Sequence, residues 1–240
     1  MILLLAGTAE ARALATALAE AGVPALASLA GATARPQALD LPTRIGGFGG
    51  AEGFEAVLEA EGISAVIDAT HPFARRITER TATLCARRGL PLLRLERPGW
   101  AAGPGDRWTW FEDPEEVAAL TEARAVFLAT GRQDLDRYAG LAGRRVWCRQ
   151  IDPPDGPFPF AGGEFVIGRP PFGVADEEAL FARLGVEALV VKDAGGAASR
   201  TKLDAARALG LPVLIQRRPP APEVTRVETV EAAMDWVRAL

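Results

Sequence analysis

The chain has 240 residues, 49% hydrophobic and 24% charged, a balance that supports a folded core and excludes intrinsic disorder. Its formal charge of −4, with 27 Lys and Arg against 31 Asp and Glu, argues against wholesale attraction to nucleic acid or an anionic membrane, so any cationic function must be local. Cys85 and Cys148 are the two cysteines and form no CxxC pair; they give neither a zinc motif nor a disulfide framework and read as free thiols in a reducing cytoplasm.

The apolar start, Ile2 to Leu5, lacks the positive flank of a signal peptide and is far too short to span a membrane, so it reads as a buried first strand. The turn Ala6-Gly7-Thr8-Ala9-Glu10 leads into an Ala- and Leu-rich helix over 11–21 that Gly22 closes. Strands over 25–29 and 43–45, a helix over 53–60, a strand over 65–69, a helix over 75–88 and a strand over 91–95 continue the alternation. Pro98, Gly99, Gly103, Pro104 and Gly105 interrupt the periodicity and predict a linker.

Beyond the linker, strands are expected over 108–111, 125–129, 145–149, 164–167, 188–191 and 212–215. Helices over 114–122, 135–141, 176–184, 202–209 and 230–240 separate or follow them, and 152–163 is a Pro- and Gly-rich loop. Short apolar strands alternating with helices describe parallel sheets covered on both faces, with right-handed crossovers. The expected fold is therefore α/β, with two Rossmann-like parallel-sheet domains and the active site in the cleft between them. Residues 1–98 form the cofactor-binding domain and 99–240 the domain contributing substrate-binding residues.

In an open α/β sheet ligands bind beyond the carboxyl ends of the strands, so the residues after each strand are the informative ones. Gly7 allows close backbone approach, and Thr8 and Glu10 open a helix whose unpaired N–H groups suit phosphate; GxGxxG spacing is absent, so an ordinary strand-to-helix turn fits too. Ser28 ends the second strand, where a dinucleotide ribose would lie. Arg35 follows, placed either to neutralise a 2′-phosphate, as NADPH rather than NADH requires, or to stand in solvent. Gly47 and Phe48 lie in a glycine run that either flanks an adenine or is a flexible loop.

Asp68-Ala69-Thr70-His71-Pro72-Phe73-Ala74 is sharper, because the single histidine follows an apolar strand and precedes a helix, the position of a catalytic or ligand-positioning loop. Thr130, Gly131 and Arg132 follow a strand of the second half and suit a carboxylate or phosphate, or form a surface turn. Lys192, Gly195, Ser199, Arg200 and Lys202 belong to a loop that suits a polyanion, although its spacing is not that of a Walker motif. No convincing carboxylate pair, GxSxG elbow or His cluster is present, which counts against hydrolase and metal chemistry, and no metal is expected.

Together, GTAEARALA at 7–15, DATHPFA at 68–74, LRLERP at 93–98, TGR at 130–132 and VKDAGG with SRTK at 191–202 resemble the precorrin-6A reductase family over nearly the whole chain. Ala6 stands where a second glycine is expected and Ala194 where a serine is expected. The resemblance implies NADPH-dependent reduction of a macrocycle double bond, a CH–CH oxidoreduction converting precorrin-6A to precorrin-6B in cytoplasmic cobalamin biosynthesis.

Joined to the reading of the turns, it sets NADPH against Gly7, Thr8, Glu10, Ser28, Arg35, Gly47, Phe48, Thr70, His71 and Pro72. The acidic tetrapyrrole falls to Phe73, Thr130, Gly131, Arg132, Lys192, Gly195, Ser199, Arg200 and Lys202. His71 is the candidate catalytic residue, orienting a ligand or donating a proton, since an imidazole titrating near about 6.5 keeps a protonated fraction at neutral pH. Nucleic acid and membrane are not expected partners. A cobalt-containing macrocycle, a non-catalytic tetrapyrrole or nucleotide carrier, and a methyltransferase using S-adenosylmethionine are the competing readings.

Overall fold

The computed structural model describes residues 1–31, 37–154 and 156–240. They form two compact units, Met1–Pro98 with Pro219–Leu240, and Gly99–Arg218.

The first unit contains β1 (Ile2–Leu5), α1 (Ala9–Glu20), β2 (Ala25–Leu29), β3 (Thr43–Ile45), α2 (Ala51–Ala60), β4 (Ala65–Asp68), α3 (Arg75–Arg88) and β5 (Leu92–Leu95), completed by β12 (Thr225–Val227) and α7 (Val230–Arg238). Its six parallel strands run in the order β12-β5-β4-β1-β2-β3. Because strand side chains alternate between faces, apolar runs serve two cores. Leu3, Leu5 and Val66 pack with Phe54, Leu58 and Leu84 of α2 and α3, whereas Ile2, Leu4 and Ile67 pack with Leu14, Leu18 and Met234 of α1 and α7.

The second unit contains β6 (Trp108–Phe111), a 3₁₀ turn (Pro114–Glu116) running into α4 (Val117–Leu120), β7 (Ala125–Ala129), a 3₁₀ segment (Leu135–Leu141) and β8 (Arg145–Gln150). It continues with β9 (Gly163–Ile167), α5 (Val174–Leu184), β10 (Ala188–Lys192), α6 (Thr201–Ala208) and β11 (Val213–Gln216). Its parallel order is β6-β11-β10-β7-β8-β9. Ala125 and Phe127 face Phe181 and Leu203, while Val126 and Leu128 face Val117, Leu135 and Tyr138. Two α/β units, each a parallel sheet covered on both faces, are the expected architecture.

Two expectations are corrected. Residues 219–240 belong to the first unit, because Thr225 to Val227 pair in parallel with Leu93 to Leu95 and α7 packs on α1. A three-residue strand behind Pro219, Pro220 and Pro222 is too short for period-two patterning to announce it. Residues 114–122 were expected as one helix and are a 3₁₀ turn, Pro114–Glu116, followed by the short α-helix Val117–Leu120; 135–141 was expected as a helix and is 3₁₀. Pro114, capped by Asp113, begins the first, and Gly140 in the second has low helix propensity. A Cβ at Gly140 would stand 3.0 Å from Ala118 Cβ, so these two short pieces also lie tightly together.

Both sheets follow one plan. Strand order β3-β2-β1-β4-β5 in the first unit repeats as β9-β8-β7-β10-β11 in the second. The sixth strand comes from after the second unit in one case, β12, and from before β7 in the other, β6. Each sheet therefore reverses its winding once, at β1/β4 and at β7/β10, and the loops beyond those strand ends diverge to leave a crevice.

Candidate functional site

In the first unit β1 and β4 finish level, with Leu5 paired to Asp68. Ala69 N–H donates to Leu5 O at 2.9 Å and Ala6 N–H to Ser28 O at 2.9 Å, so the sheet continues one residue further before the turns leave it. Thr8 is the N-cap of α1. Its hydroxyl oxygen accepts from Ala11 N–H at 3.1 Å and its hydroxyl donates to Ala69 O at 2.8 Å. One buried side chain thus starts the helix and ties the β1–α1 turn to the β4–α3 turn. Gly7 has φ 152°, and nothing lies within 4 Å of where its Cβ would be. A phosphate fits such a place: backbone without a side chain, beside the positive end of a helix. Glu10, in the first turn of α1, is ion-paired with Arg97 at 2.5 Å rather than left open.

The turn after β4 is held by charge inside the unit. Asp68, 2% exposed, accepts through Oδ1 from Thr70 N–H and hydroxyl at 3.0 and 2.7 Å, and through Oδ2 from the Thr78 hydroxyl at 2.7 Å and Arg94 at 2.6 Å. Arg94, also 2% exposed, donates Nε to Glu96 at 2.6 Å. Charged groups so deeply buried must be paired and fully hydrogen-bonded, and here they fix where Thr70 and His71 begin.

His71 Nδ1 accepts from Phe73 N–H at 3.2 Å, which in the neutral ring places the proton on Nε2. Its ring lies 5.8 Å from that of Phe73, and Pro72 beside it is buried. Gly7, Thr8, Thr70 and His71 therefore gather at one switch point.

At the next strand end Ser28 is buried and accepts from Arg44 Nη1 at 2.8 Å. Arg44 also donates to Gly46 O and Gly47 O, each at 3.1 Å, and its guanidinium carbon lies 4.0 Å from the centre of the Phe48 ring. Arg35 falls outside the described residues. Arg44, the middle residue of the short strand Thr43–Ile45, was missed from sequence. Its one signal in the sequence was a cation shortly before a glycine run; the register that sets it beside Ser28 comes from the assembled sheet.

In the second unit Thr130 is buried beyond β7, Gly131 takes φ 75°, and Arg132 is exposed. Lys192, ending β10, is ion-paired with Asp134 at 2.7 Å, which joins the β7 and β10 turns. In the following loop Trp100 Nε1 donates to Gly196 O at 2.9 Å, and Asp193 accepts from Trp100 N–H at 3.0 Å. Arg200 is drawn to Asp106 and Asp204, at 3.5 and 3.4 Å.

Lys202 donates to Ser199 O at 2.5 Å, with its ammonium 5.7 Å from the Trp100 ring. Burial pushes it down to about 8; Arg149 adds to this and Glu177 opposes it. Thr130, Lys192 and Lys202 thus line the strand-end side of one sheet, while Arg200 faces two carboxylates. Among the described residues no group of three or more His, Cys, Asp and Glu could hold a metal ion.

Comparison with known proteins places this geometry. The precorrin-6x reductase CbiJ/CobK family matches residues 1–238. A precorrin-6A reductase of Rhodococcus erythropolis is 46% identical, covering all of this chain and 98% of its own length. A cobalt-precorrin-6A reductase of Priestia megaterium is 29% identical over 91% of each chain. The solved structure of a CobK precorrin-6A reductase superposes with a TM-score of 0.93 at 42% identity, covering 99% of this chain and 96% of that one. Match length, identity and shared fold agree, and this chain belongs to the precorrin-6x reductase CbiJ/CobK family of reductases.

Proposed function

We propose that this protein reduces precorrin-6A to precorrin-6B with NADPH during cobalamin biosynthesis. The observation that carries the reading is the Thr8 hydroxyl bridging the α1 N-terminus and Ala69 at the switch point of a Rossmann-like sheet, in a chain whose 46% identical relative is a precorrin-6A reductase. Gly7 and the amides opening α1 receive the pyrophosphate, Ser28 faces the adenosine ribose, and Thr70, His71 and Pro72 lie toward the nicotinamide. When bound, the dinucleotide supplies the hydride. The rest of the work is positioning, worth several kcal/mol when the reacting atoms are held at contact.

Asp68, locked to Arg94 and Thr78, sets the backbone from which His71 projects. With Nδ1 engaged by Phe73 N–H, neutral His71 orients the nicotinamide through Nε2–H; as an imidazolium, with the Phe73 bond given up, it delivers a proton to the macrocycle carbon beside the hydride acceptor and returns to the neutral ring. In the second unit Thr130, Gly131, Arg132, Lys192 and Lys202 face the acetate and propionate groups of the substrate, where cations and exposed amides suit carboxylates. The identities to a precorrin-6A reductase, 46%, and to a cobalt-precorrin-6A reductase, 29%, favour the metal-free macrocycle.

The test is anaerobic turnover with metal-free and with cobalt-loaded precorrin-6A, following loss of NADPH absorbance and product mass. One NADPH consumed per metal-free macrocycle is expected. Tight macrocycle binding without NADPH oxidation would mean a carrier, and preference for the cobalt form would move the substrate assignment. His71→Ala should lower kcat between about pH 6 and pH 8; unchanged kcat removes the proton-donor role.

A further inference from the structure

We propose that a cavity at the carboxyl end of β8, with the Gln150 carboxamide in its wall, receives one carboxylate-ended arm of the macrocycle. The proposal rests on the substrate reading above and adds to it a subsite and a residue, Gln150, that reads the end of the arm.

The cavity measures about 240 Å³ and is lined wholly by the second unit. Pockets that enclose a whole drug-sized ligand run to about 300–1,000 Å³, so this one takes a limb of a macrocycle and not its ring. Leu135, Pro154, Pro157, Pro159 and Phe165 give it apolar walls suited to methylene groups. The walls are stiff. Proline fixes φ at three of these positions, and the Phe165 ring rests 4.9 Å from that of Phe158, which in turn meets Phe160 at 4.8 Å. A site already formed loses little freedom when it is filled.

Gln150 is the last residue of β8. Val146 and Cys148 of that strand pack with Leu128, Leu135 and Tyr138, and strand alternation puts Gln150 on the same face. Its main chain is tied into the sheet, with Gln150 O accepting from Gly168 N–H at 2.9 Å. The residue is 7% exposed, and Nε2 is buried with no hydrogen-bond partner among the described residues. An unpaired buried N–H is costly, so the amide calls for an acceptor. A lone water fits poorly: its share of liquid volume is about 30 Å³, and a bound water needs two to four polar partners, which walls of proline, leucine and phenylalanine do not offer.

Arg132 and Asp136 also line the cavity, and both are exposed. Their opposite charges offset one another at the rim, where water and salt screen them, so the choice of ligand falls to the buried amide. An acetate or propionate arm meets these terms. Its methylenes cover the apolar walls, and its carboxylate accepts from Nε2–H in a charge-assisted bond.

The test uses the full-length protein as wild type, Gln150→Leu, Gln150→Glu and Gly156→Leu. Binding of metal-free precorrin-6A is followed by its absorbance change, binding of NADP⁺ by calorimetry, and stability by melting temperature. Gly156 lines the cavity, and nothing lies within 4 Å of where its Cβ would be, so a leucine side chain there can fill the space. Gln150→Leu and Gly156→Leu are each expected to weaken macrocycle binding about tenfold and to leave NADP⁺ affinity within about twofold. Gln150→Glu should weaken macrocycle binding further, because two carboxylates then meet. Gln150→Leu should melt no lower than wild type, since it removes an unpaired buried N–H. Unchanged macrocycle affinity in Gln150→Leu or in Gly156→Leu overturns the proposal. So does a lower melting temperature of Gln150→Leu with both ligands weakened alike, which makes the amide a strut of the fold. Gln150→Glu binding as tightly as wild type means that the arm is not anionic, and overturns it too. Wild type that binds no precorrin-6A overturns the substrate reading itself.

Discussion

Arg94 shows what one buried residue contributes. It satisfies two carboxylates, Asp68 and Glu96, that are otherwise cut off from water, and removing one partner of such a cluster costs about 3–5 kcal/mol. Arg94→Met should therefore lower the urea-unfolding free energy by about that amount, with a fall in kcat as Thr70 and His71 lose their anchor; a loss below about 1 kcal/mol would mean that water already screens the cluster. Lys202 gives a pH-dependent counterpart. Its folded value near 8 lies below the ordinary lysine value of about 10.4, so across that interval the unfolded chain binds more proton than the folded one. Stability then rises as pH climbs through the window, and below it the burial cost is borne in full. Lys202→Met removes this contribution. The variant's unfolding free energy minus that of wild type should fall as pH rises from about 7 to about 10.5, and a difference flat with pH would contradict the burial of the ammonium.

Helix α2 depends on one glycine. A Cβ at Gly53 would stand 1.7 Å from Phe48 O and 3.0 Å from its carbonyl carbon, and backbone at that distance has to move. The helix begins at Gly50 without a side-chain cap, so the loop carrying Phe48 is held by close packing rather than by a capping bond. Gly53→Ala should therefore displace Phe48 from Arg44, lower thermal stability and weaken NADP⁺ binding, although alanine is the better helix former. A variant with unchanged melting temperature and affinity would show that the loop shifts freely. Helix α1 contrasts with it, since Thr8 supplies both its cap and its tie to Ala69. Helix α3 ends on Gly89 in the left-handed region, which stops it before β5.

Over the whole molecule the two units are cut differently from the chain. The second, Gly99–Arg218, is one continuous stretch holding all six strands of its sheet, whereas the first recruits β12 and α7 from the far end. A fragment of 99–218 should unfold cooperatively on heating, while a chain ending at 218 should lose cooperative melting of its first unit, because Ala233 and Met234 leave the core they share with Leu14 and Leu18. Equal melting of the first unit with and without 219–240 would contradict this. Much of the plan was legible locally: the alternation of Ile2 to Leu5, Ala65 to Asp68 and Ala188 to Val191 with helices encodes parallel strands buried on both faces, and the turns after them mark Thr8, Thr70, His71 and Lys192 as strand-end residues. These features depend on neighbours a few residues apart, so pattern and turn chemistry suffice. Contacts between distant segments were not legible. Pairing of Thr225 to Val227 with β5, the guanidinium of Arg44 on Ser28, the meeting of Arg44 and Arg80 at Phe48, and the capture of Arg200 by Asp106 each join residues whose proximity exists only once the sheet has assembled. Sequence by itself determined two parallel α/β layers and which residues stand at their strand ends. Tertiary structure decided which charges face each other there, because that follows from strand order and register, which no local pattern records.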